Sequence, residues 1–240
     1  MNYRISDYPS NTICKWTTAD SLELFEKNTI KYGNDNKSIR HYKENPIKYS
    51  FNNYGFRTPD DFNEVDEGNV FLGDSNTMGT GHHLENTWSY KINQDVGGKF
   101  WNLSQGGHGI QTDYRLLYGW KDHLKIKNIF HFTINHSRFE FFNKSELLQM
   151  NNWSEFKHKD FYLDFLCDEG YCEFIEETYI NAIKGLSKEI GCNYYYVKLA
   201  ESFYDYDKST DDSLEARDLS HMTVKYQNCI YEKFKELNVK

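Results

Sequence analysis

Two short motifs far apart in the chain contain the residue types of a serine nucleophile and its base. A Gly-Asp-Ser-Asn stretch at 73–76 places Ser75 directly after an apolar run, and an Asp-Leu-Ser-His stretch begins at Asp218 and ends at His221. A serine hydroxyl becomes an effective nucleophile when a neighbouring base takes its proton. An imidazole does this best when a carboxylate holds its tautomer and stabilises its charged form. The two motifs therefore predict a catalytic Ser75, His221 and Asp218.

Each motif alone also has an ordinary structural explanation. Gly-Asp-Ser is common in turns. Asp218 could be the N-cap of a helix, with His221 a solvated residue of its first turn. The joint placement favours the catalytic interpretation, because one motif ends a predicted strand and the other opens the last predicted helix.

Apolar segments from residue 69 onward alternate between strand and helix patterns, which predicts a parallel sheet with helices on both faces. The predicted fold is a three-layer α/β/α sandwich. Strands are predicted at 69–73, 99–103, 128–134 and 193–197, and helices at 84–96, 110–124, 173–190 and from 221–223 to 237. Tyr226, Ile230, Phe234 and Leu237 are expected to form the buried face of the last helix.

Two regions lie outside this alternation, although 240 residues are expected to form one domain. Residues 1–66 are polar and aromatic, and we interpret them as an N-terminal extension that wraps the domain, with a short helix at 20–32. Residues 137–172 are a long aromatic insert after the third predicted strand. Such inserts often form lids or substrate walls. A locally folded helical insert packed on the body is an equal alternative.

Composition excludes several classes of protein. The net charge of −8 argues against a nucleic-acid-binding surface. No apolar run approaches 18 residues, and the first residues have no apolar core of a secretion signal, so we expect a soluble, by default cytoplasmic, chain without a membrane span. The five cysteines lack zinc-type spacing, and free thiols are expected, although Cys167 and Cys172 could pair across a loop. No metal or organic cofactor is implied.

Polar residues follow three of the predicted strands, at the edge where ligands bind to parallel sheets. A tetrahedral intermediate needs hydrogen-bond donors directed at its oxyanion. The backbone N–H groups of Ser75 and Gly107 and the side-chain amide of Asn135 could be these donors.

These residues together resemble the SGNH (GDSL-type) hydrolase superfamily. Ser75, Gly107, Asn135 and His221 match the four defining residues in order, and the Asn-Tyr-Gly-Phe-Arg stretch at 53–57 is similar to a segment that precedes the first block in many members. The resemblance implies a flavodoxin-like SGNH hydrolase fold and a serine esterase that uses a Ser-His-Asp triad without a cofactor. Asn76 replaces a frequent leucine. His136 stands where an aspartate is usual.

Further side chains near these motifs could line a pocket: Asp74, Asn76, His108, His136 and Arg138. Asp74 is expected to order the turn by hydrogen bonds rather than to do chemistry. Arg138 could bind an anionic substrate group or form a salt bridge to Glu140. His82, His83 and His131 are expected to be surface or hydrogen-bonded histidines, because no partner has the spacing of a metal site.

The leading functional prediction is an esterase that hydrolyses, or transfers, an acyl ester of a small molecule or glycan. A small acyl group such as acetyl on a carbohydrate is favoured, because the aromatic insert suits stacking on sugars and no aliphatic stretch suggests a lipid tunnel. The alternative is a non-catalytic glycan-binding or structural protein with the same fold, since a fold does not determine a function. The sequence does not indicate the oligomeric state.

Overall fold

Strands and helices alternate through most of the chain. A computed structural model describes residues 3–133, 137–143, 146–198, 211–237 and 239. The strands are Thr12–Cys14 (β1), Tyr49–Phe51 (β2), Glu67–Leu72 (β3), Lys99–Asn102 (β4), Lys125–Thr133 (β5), Phe139–Asn143 (β6), Glu146–Met150 (β7) and Asn193–Lys198 (β8). The helices are Leu22–Tyr32 (α1), Lys37–Glu44 (α2), Ser75–Met78 (α3), Trp88–Val96 (α4), Ile110–Trp120 (α5), Lys159–Phe161 (α6), Glu169–Ile190 (α7) and Val224–Glu236 (α8).

The centre of the fold is a parallel sheet of four strands in the order β4-β3-β5-β8. Val70 and Leu72 point to one face and pack with the apolar sides of α5 and α7, whereas Phe71 points to the other face and packs with α4 and α8. A strand that is buried on both faces has apolar residues at nearly every position, which explains the continuous apolar pattern at 69–72. The predicted parallel sheet flanked by helices is therefore confirmed.

The N-terminal region is more structured than the predicted wrapping extension. β1 pairs antiparallel with β2, and α1 and α2 lie between them in the chain. Buried side chains of this region, among them Phe25, Ile39 and Tyr49, form a cluster that also includes Met78 of α3. Of these elements, only α1 was predicted. The two strands were missed because three residues leave almost no periodicity to detect.

The insert at 137–172 is locally folded, as one alternative predicted, but it is not purely helical. β6 and β7 form an antiparallel hairpin, and α6 continues into a wide helical turn at Tyr162–Leu166. Phe139 and Tyr162 are buried in a small cluster of the insert. Trp153 and Phe165 are 55% and 62% exposed, so only part of the aromatic content packs on the protein.

The ends of four helices differ from the prediction: α5 ends at Trp120 instead of 124, α7 begins at Glu169 instead of 173, and two further helices begin later than expected. The segment Leu84–Asn86 is a separate tight turn, and α4 begins only after the Thr87 N-cap. The last helix begins at Val224 with Thr223 as its N-cap, so Asp218 is not a helix cap and the Asp-Leu-Ser-His stretch lies in the preceding loop. Leu237, expected in the buried face of this helix, is 42% exposed because the helix ends before it.

All five cysteines are free thiols, as expected. Within the described part of the chain, none of the helices has both the length and the apolar surface that crossing a bilayer requires.

Candidate active site

Ser75 lies at a sharp turn between β3 and α3. The turn begins at Gly73, whose φ of 140° lies in a region that favours glycine. Its N–H donates to the Asp113 carboxylate at 2.9 Å, and its carbonyl accepts from the N–H of Gln105 at 3.3 Å. A Cβ at this position would lie 2.6 Å from the Phe132 carbonyl oxygen. The turn is therefore held from several sides, and only glycine fits its first residue.

Asp74 orders the turn, as expected from the sequence. Its Oδ1 accepts from the backbone N–H of Asn76 at 2.9 Å, which caps α3. Its Oδ2 accepts from Nη1 of Arg138 at 2.6 Å. Both carboxylate oxygens are thus occupied by groups other than His221.

The loop before α8 brings Asp218 and His221 together. Nδ1 of His221 is hydrogen bonded to Oδ2 of Asp218, and Oδ1 of Asp218 accepts from the backbone N–H groups of Ser220 and His221 at 3.1 Å each. An ionised carboxylate can only accept, so Nδ1 of His221 carries a proton and the neutral ring has Nε2 as its acceptor. Leu219, between them, has a φ of 55°, which is rare for a residue with a branched side chain.

The two side chains shift each other's pKa in opposite directions. Burial alone would raise the pKa of Asp218, but the hydrogen bond and charge of His221 outweigh it and lower that pKa. Burial alone would lower the pKa of His221, but the hydrogen bond and charge of Asp218 outweigh it and raise that pKa above its usual value. The pair is thus arranged so that Asp218 stabilises a protonated His221.

Ser75 and His221 line the same cavity, which has a volume of about 690 Å³. Ser75 is 5% exposed, and its hydroxyl has no hydrogen-bond partner among the residues described. Hydrogen bonds between catalytic groups are often long without substrate and tighten on binding. The other lining residues are Tyr8, Thr18, Ala19, Asn76, Gly106, Gly107, Arg138, Trp153, Ser220 and Met222.

Two of the three predicted oxyanion donors lie beside this cavity. Ser75 is the first residue of α3, so its N–H has no acceptor within the helix. Gly107 lines the cavity and has a φ of 81°. Gly106 lies next to Ser75, because a Cβ placed on Gly106 would be 3.8 Å from the Cβ of Ser75. Either glycine N–H can be the second donor. Asn135, the third, lies outside the described residues.

Arg138 does not form the salt bridge to Glu140 that was one of its two predicted roles. Glu140 instead pairs with Arg115, with 2.6 Å between Oε1 and Nε. Arg138 pairs with Asp74, and its guanidinium lies 5.0 Å from the centre of the Trp153 ring. Its Nε and Nη2 have no hydrogen-bond partner in the described part of the chain. Because Arg138 lines the cavity, its guanidinium can donate to a ligand there.

His108 was a predicted pocket residue, but it is buried outside the cavity lined by Ser75. Its Nε2 lies 2.6 Å from the Asp7 carboxylate, and its Nδ1 lies 3.1 Å from the hydroxyl of Thr112, which donates to Glu140. Both ring nitrogens therefore act as donors. Burial opposes this charge, but the bonds to Asp7 and Glu140 outweigh it and raise the pKa of His108. A base is not expected to be held protonated in this way.

Asn76 lines the cavity beside Ser75, and its side chain donates to Asp74 at 3.2 Å. His136 lies outside the described residues. Two residues with clear roles were missed: Asp113, which holds Gly73, and Trp153, which forms a wall of the cavity. Asp113 is the acidic residue in the first turn of α5, at the sheet edge where the site was expected, so the sequence could have indicated it. Trp153 could not be singled out, because it is one of many aromatic residues in the insert.

The described residues contain no cluster of three or more His, Cys, Asp or Glu side chains that could bind a metal ion. His131, considered as a ligand, donates from Nε2 to Asp113 at 3.2 Å and accepts from the Tyr194 hydroxyl at 2.9 Å. It is thus a hydrogen-bonded core histidine.

No protein-family model matches the chain, and a search of curated proteins finds no significant match. The similarity to the SGNH superfamily rests on the motifs alone. The function of this site is therefore inferred from its geometry and its residue types.

Gly73→Ala should destabilise the protein by about 2–5 kcal/mol, because the substitution combines an unfavourable φ with a collision against the Phe132 carbonyl. The free energy of unfolding from denaturant titration measures this effect. Gly185→Ala is the matched control: Gly185 lies exposed within α7 with open space around it, so alanine should stabilise by up to about 1 kcal/mol. Equal effects of the two substitutions would show that the turn is not constrained.

The His221 ring should titrate above its ordinary value of about 6.5, and in Asp218→Asn its midpoint should fall, because the carboxylate that stabilises the charged ring is gone. NMR of ring-labelled histidine measures both midpoints, with the signal assigned by its loss in His221→Asn. A midpoint that does not move in Asp218→Asn would contradict the coupling of the pair.

Proposed function

We propose that the chain is a serine esterase of the SGNH type, with a flavodoxin-like three-layer fold and Ser75, His221 and Asp218 as its triad. The observation that carries this proposal is that Ser75 and an Asp218-bonded His221 line one cavity. The tautomer of His221 supports it further, because the lone pair of Nε2 is left to take a proton.

The proposed reaction has two steps. The Ser75 oxygen attacks the ester carbonyl carbon while His221 Nε2 takes the hydroxyl proton, and the alcohol leaves with that proton to give an acyl-enzyme. Water then attacks the acyl-enzyme, His221 takes a proton from the water, and Ser75 regains its hydroxyl as the acid leaves. Transfer to another alcohol follows the same route with the alcohol in place of water. Asp218 stabilises the imidazolium in both steps without taking its proton.

Oxyanion stabilisation is assigned to backbone and amide donors. The N–H of Ser75 and that of Gly106 or Gly107 are the donors within the described residues. The resemblance adds the Asn135 amide. Donors held in place before the reaction favour the transition state most, because they need no reorganisation as charge develops.

The charges around the cavity favour a neutral alcohol portion in the substrate. The positive charge of Arg138 is neutralised by the Asp74 carboxylate at 2.6 Å. The negative charge of Asp218 is neutralised only when His221 is protonated. An acidic ligand would therefore meet no net positive charge. A neutral hydroxyl can still accept from the Arg138 guanidinium, and a sugar ring can stack on the exposed Trp153. We propose an ester of a small acyl group, such as acetyl, on a carbohydrate.

Ser75→Ala and His221→Ala should each lower kcat for p-nitrophenyl acetate by at least about 1,000-fold, because each removes one partner of the nucleophile–base pair. Folding of both variants is checked by circular dichroism. His123→Ala, which alters a surface histidine next to Glu64, is the matched control and should keep the wild-type rate. Wild-type turnover in purified Ser75→Ala would exclude Ser75 as the nucleophile. Saturable sugar binding without any turnover in the wild type would favour the non-catalytic alternative.

Trp153→Ala should raise KM for a mono-acetylated neutral sugar about tenfold, which corresponds to about 1.4 kcal/mol of lost binding. Trp153→Phe should recover part of this loss, because a smaller ring still stacks. Phe165→Ala, which removes an exposed aromatic outside the cavity, should leave KM unchanged.

Comparing mono-acetylated neutral and uronic sugars tests the charge argument, and the neutral ester should have the higher kcat/KM. A preference for the acidic ester that is lost in Arg138→Gln would show instead that Arg138 binds an anion.

A further inference from the structure

One loop follows the helix that carries Ser75, another carries Asp218 and His221, and both contact the N-terminal region. The first, residues 79–82, follows the helix of Ser75, and the second, residues 215–222, contains Asp218 and His221. They also bond to each other: the N–H of Arg217 donates to the Gly81 carbonyl at 2.8 Å, and His82 donates from Nε2 to the Met222 carbonyl at 2.8 Å. The separation of the two loops therefore decides where His221 lies relative to Ser75.

A buried ion pair joins the second loop to the N-terminal region. Nε and Nη2 of Arg217 donate to the Asp20 carboxylate at 3.0 and 2.6 Å, and the guanidinium stacks 3.8 Å from the centre of the Trp16 ring. The side chains of Asp20 and Arg217 are 0% and 1% exposed. The Asn28 amide of α1 also donates to the Asp218 carbonyl at 2.7 Å. The backbone at Asp218 is thus held from the N-terminal side.

The same carboxylate reaches the first loop through Tyr49. The Tyr49 hydroxyl donates to Asp20 at 2.5 Å and accepts from the N–H of Gly81 at 2.8 Å. Arg57 lies 4.3 Å from the centre of the Tyr49 ring and donates to the carbonyls of Met78 and His82, at 3.0 and 2.7 Å. Asp20 is therefore one buried group that is linked to both loops.

We propose that Asp20 is a positioning residue for the reaction: through Arg217 and Tyr49 it holds the two loops at the separation that lets His221 take the Ser75 proton. This inference rests on the proposed esterase function. It assigns a role to Asp20 and Tyr49, which the motifs around Ser75 and His221 do not explain. A shift of about 1 Å between reacting groups costs on the order of 100-fold in rate, so a rigid link of this kind has a large effect on kcat.

The inference also predicts an electrostatic effect. The charged or titratable groups around His221 are Asp218, Asp74, Asp20 with its partner Arg217, Arg138 across the cavity, and His82, which is neutral because burial lowers its pKa to about 4. The negative charge of Asp20 favours protonated His221, so removing it should lower the midpoint at which His221 titrates. Removing the Tyr49 hydroxyl leaves this charge in place.

The experiment compares Asp20→Asn, Tyr49→Phe and Tyr231→Phe in the full chain. Asp20→Asn should lower kcat for p-nitrophenyl acetate about 100-fold, and Tyr49→Phe about tenfold, with little change in KM. Tyr231→Phe is the matched control: it removes a hydroxyl that donates to the Asp95 carboxylate of α4 at 2.7 Å, away from both loops and from the cavity, and kcat should stay within about twofold of wild type. NMR titration should show a lower His221 midpoint in Asp20→Asn and an unchanged midpoint in Tyr49→Phe.

Folded Asp20→Asn and Tyr49→Phe variants with wild-type kcat and an unmoved His221 midpoint would overturn the inference. If Asp20→Asn does not fold, kcat of Tyr49→Phe decides the question. If the wild type hydrolyses no ester, the proposed function fails, whereas the NMR midpoints still test whether Asp20 acts on His221.

Discussion

The sharp turn at Gly73 is the constraint on which the proposed site depends. β3 is buried on both faces, so the chain must leave the sheet abruptly for Ser75 to reach an open cavity. The Asp113 carboxylate holds the Gly73 N–H, and Asp74 caps the helix that follows. Asp113 itself is tied to His131 of the neighbouring strand. The position of Ser75 is thus determined by hydrogen bonds from α5 and β5 together with the Asp74 cap of its own turn.

Much of the fold could be predicted from the sequence, because long apolar runs and helical periodicity are local signals. β3, β4, β5 and β8 have such runs, and the parallel arrangement follows from the helices between them. β1 and β2 could not be predicted, since they are three residues each and pair across more than thirty residues. The hairpin of β6 and β7 was hidden in a segment whose aromatic content fits several structures.

The candidate site could be predicted in part, for the same reason. Ser75, Asp218 and His221 stand in short motifs, and the sheet topology brings the strand ends to one edge. The partner of Arg138 could not be predicted, because Asp74 and Glu140 are equally acidic and only the fold decides which is near. Asp20 gave no signal at all: its role depends on contacts with Tyr49 and Arg217, far away in the sequence.

The central claim is that Ser75 is a nucleophile activated by His221, and covalent labelling with a fluorophosphonate tests it most directly. Peptide mass spectrometry of the labelled protein should find one adduct, on Ser75, that is absent in Ser75→Ala and forms far more slowly in His221→Ala. The rate should fall as pH drops through the His221 titration, because the protonated ring cannot take the hydroxyl proton. A folded wild type that forms no adduct, or forms it elsewhere while Ser75 stays unmodified, would contradict the account.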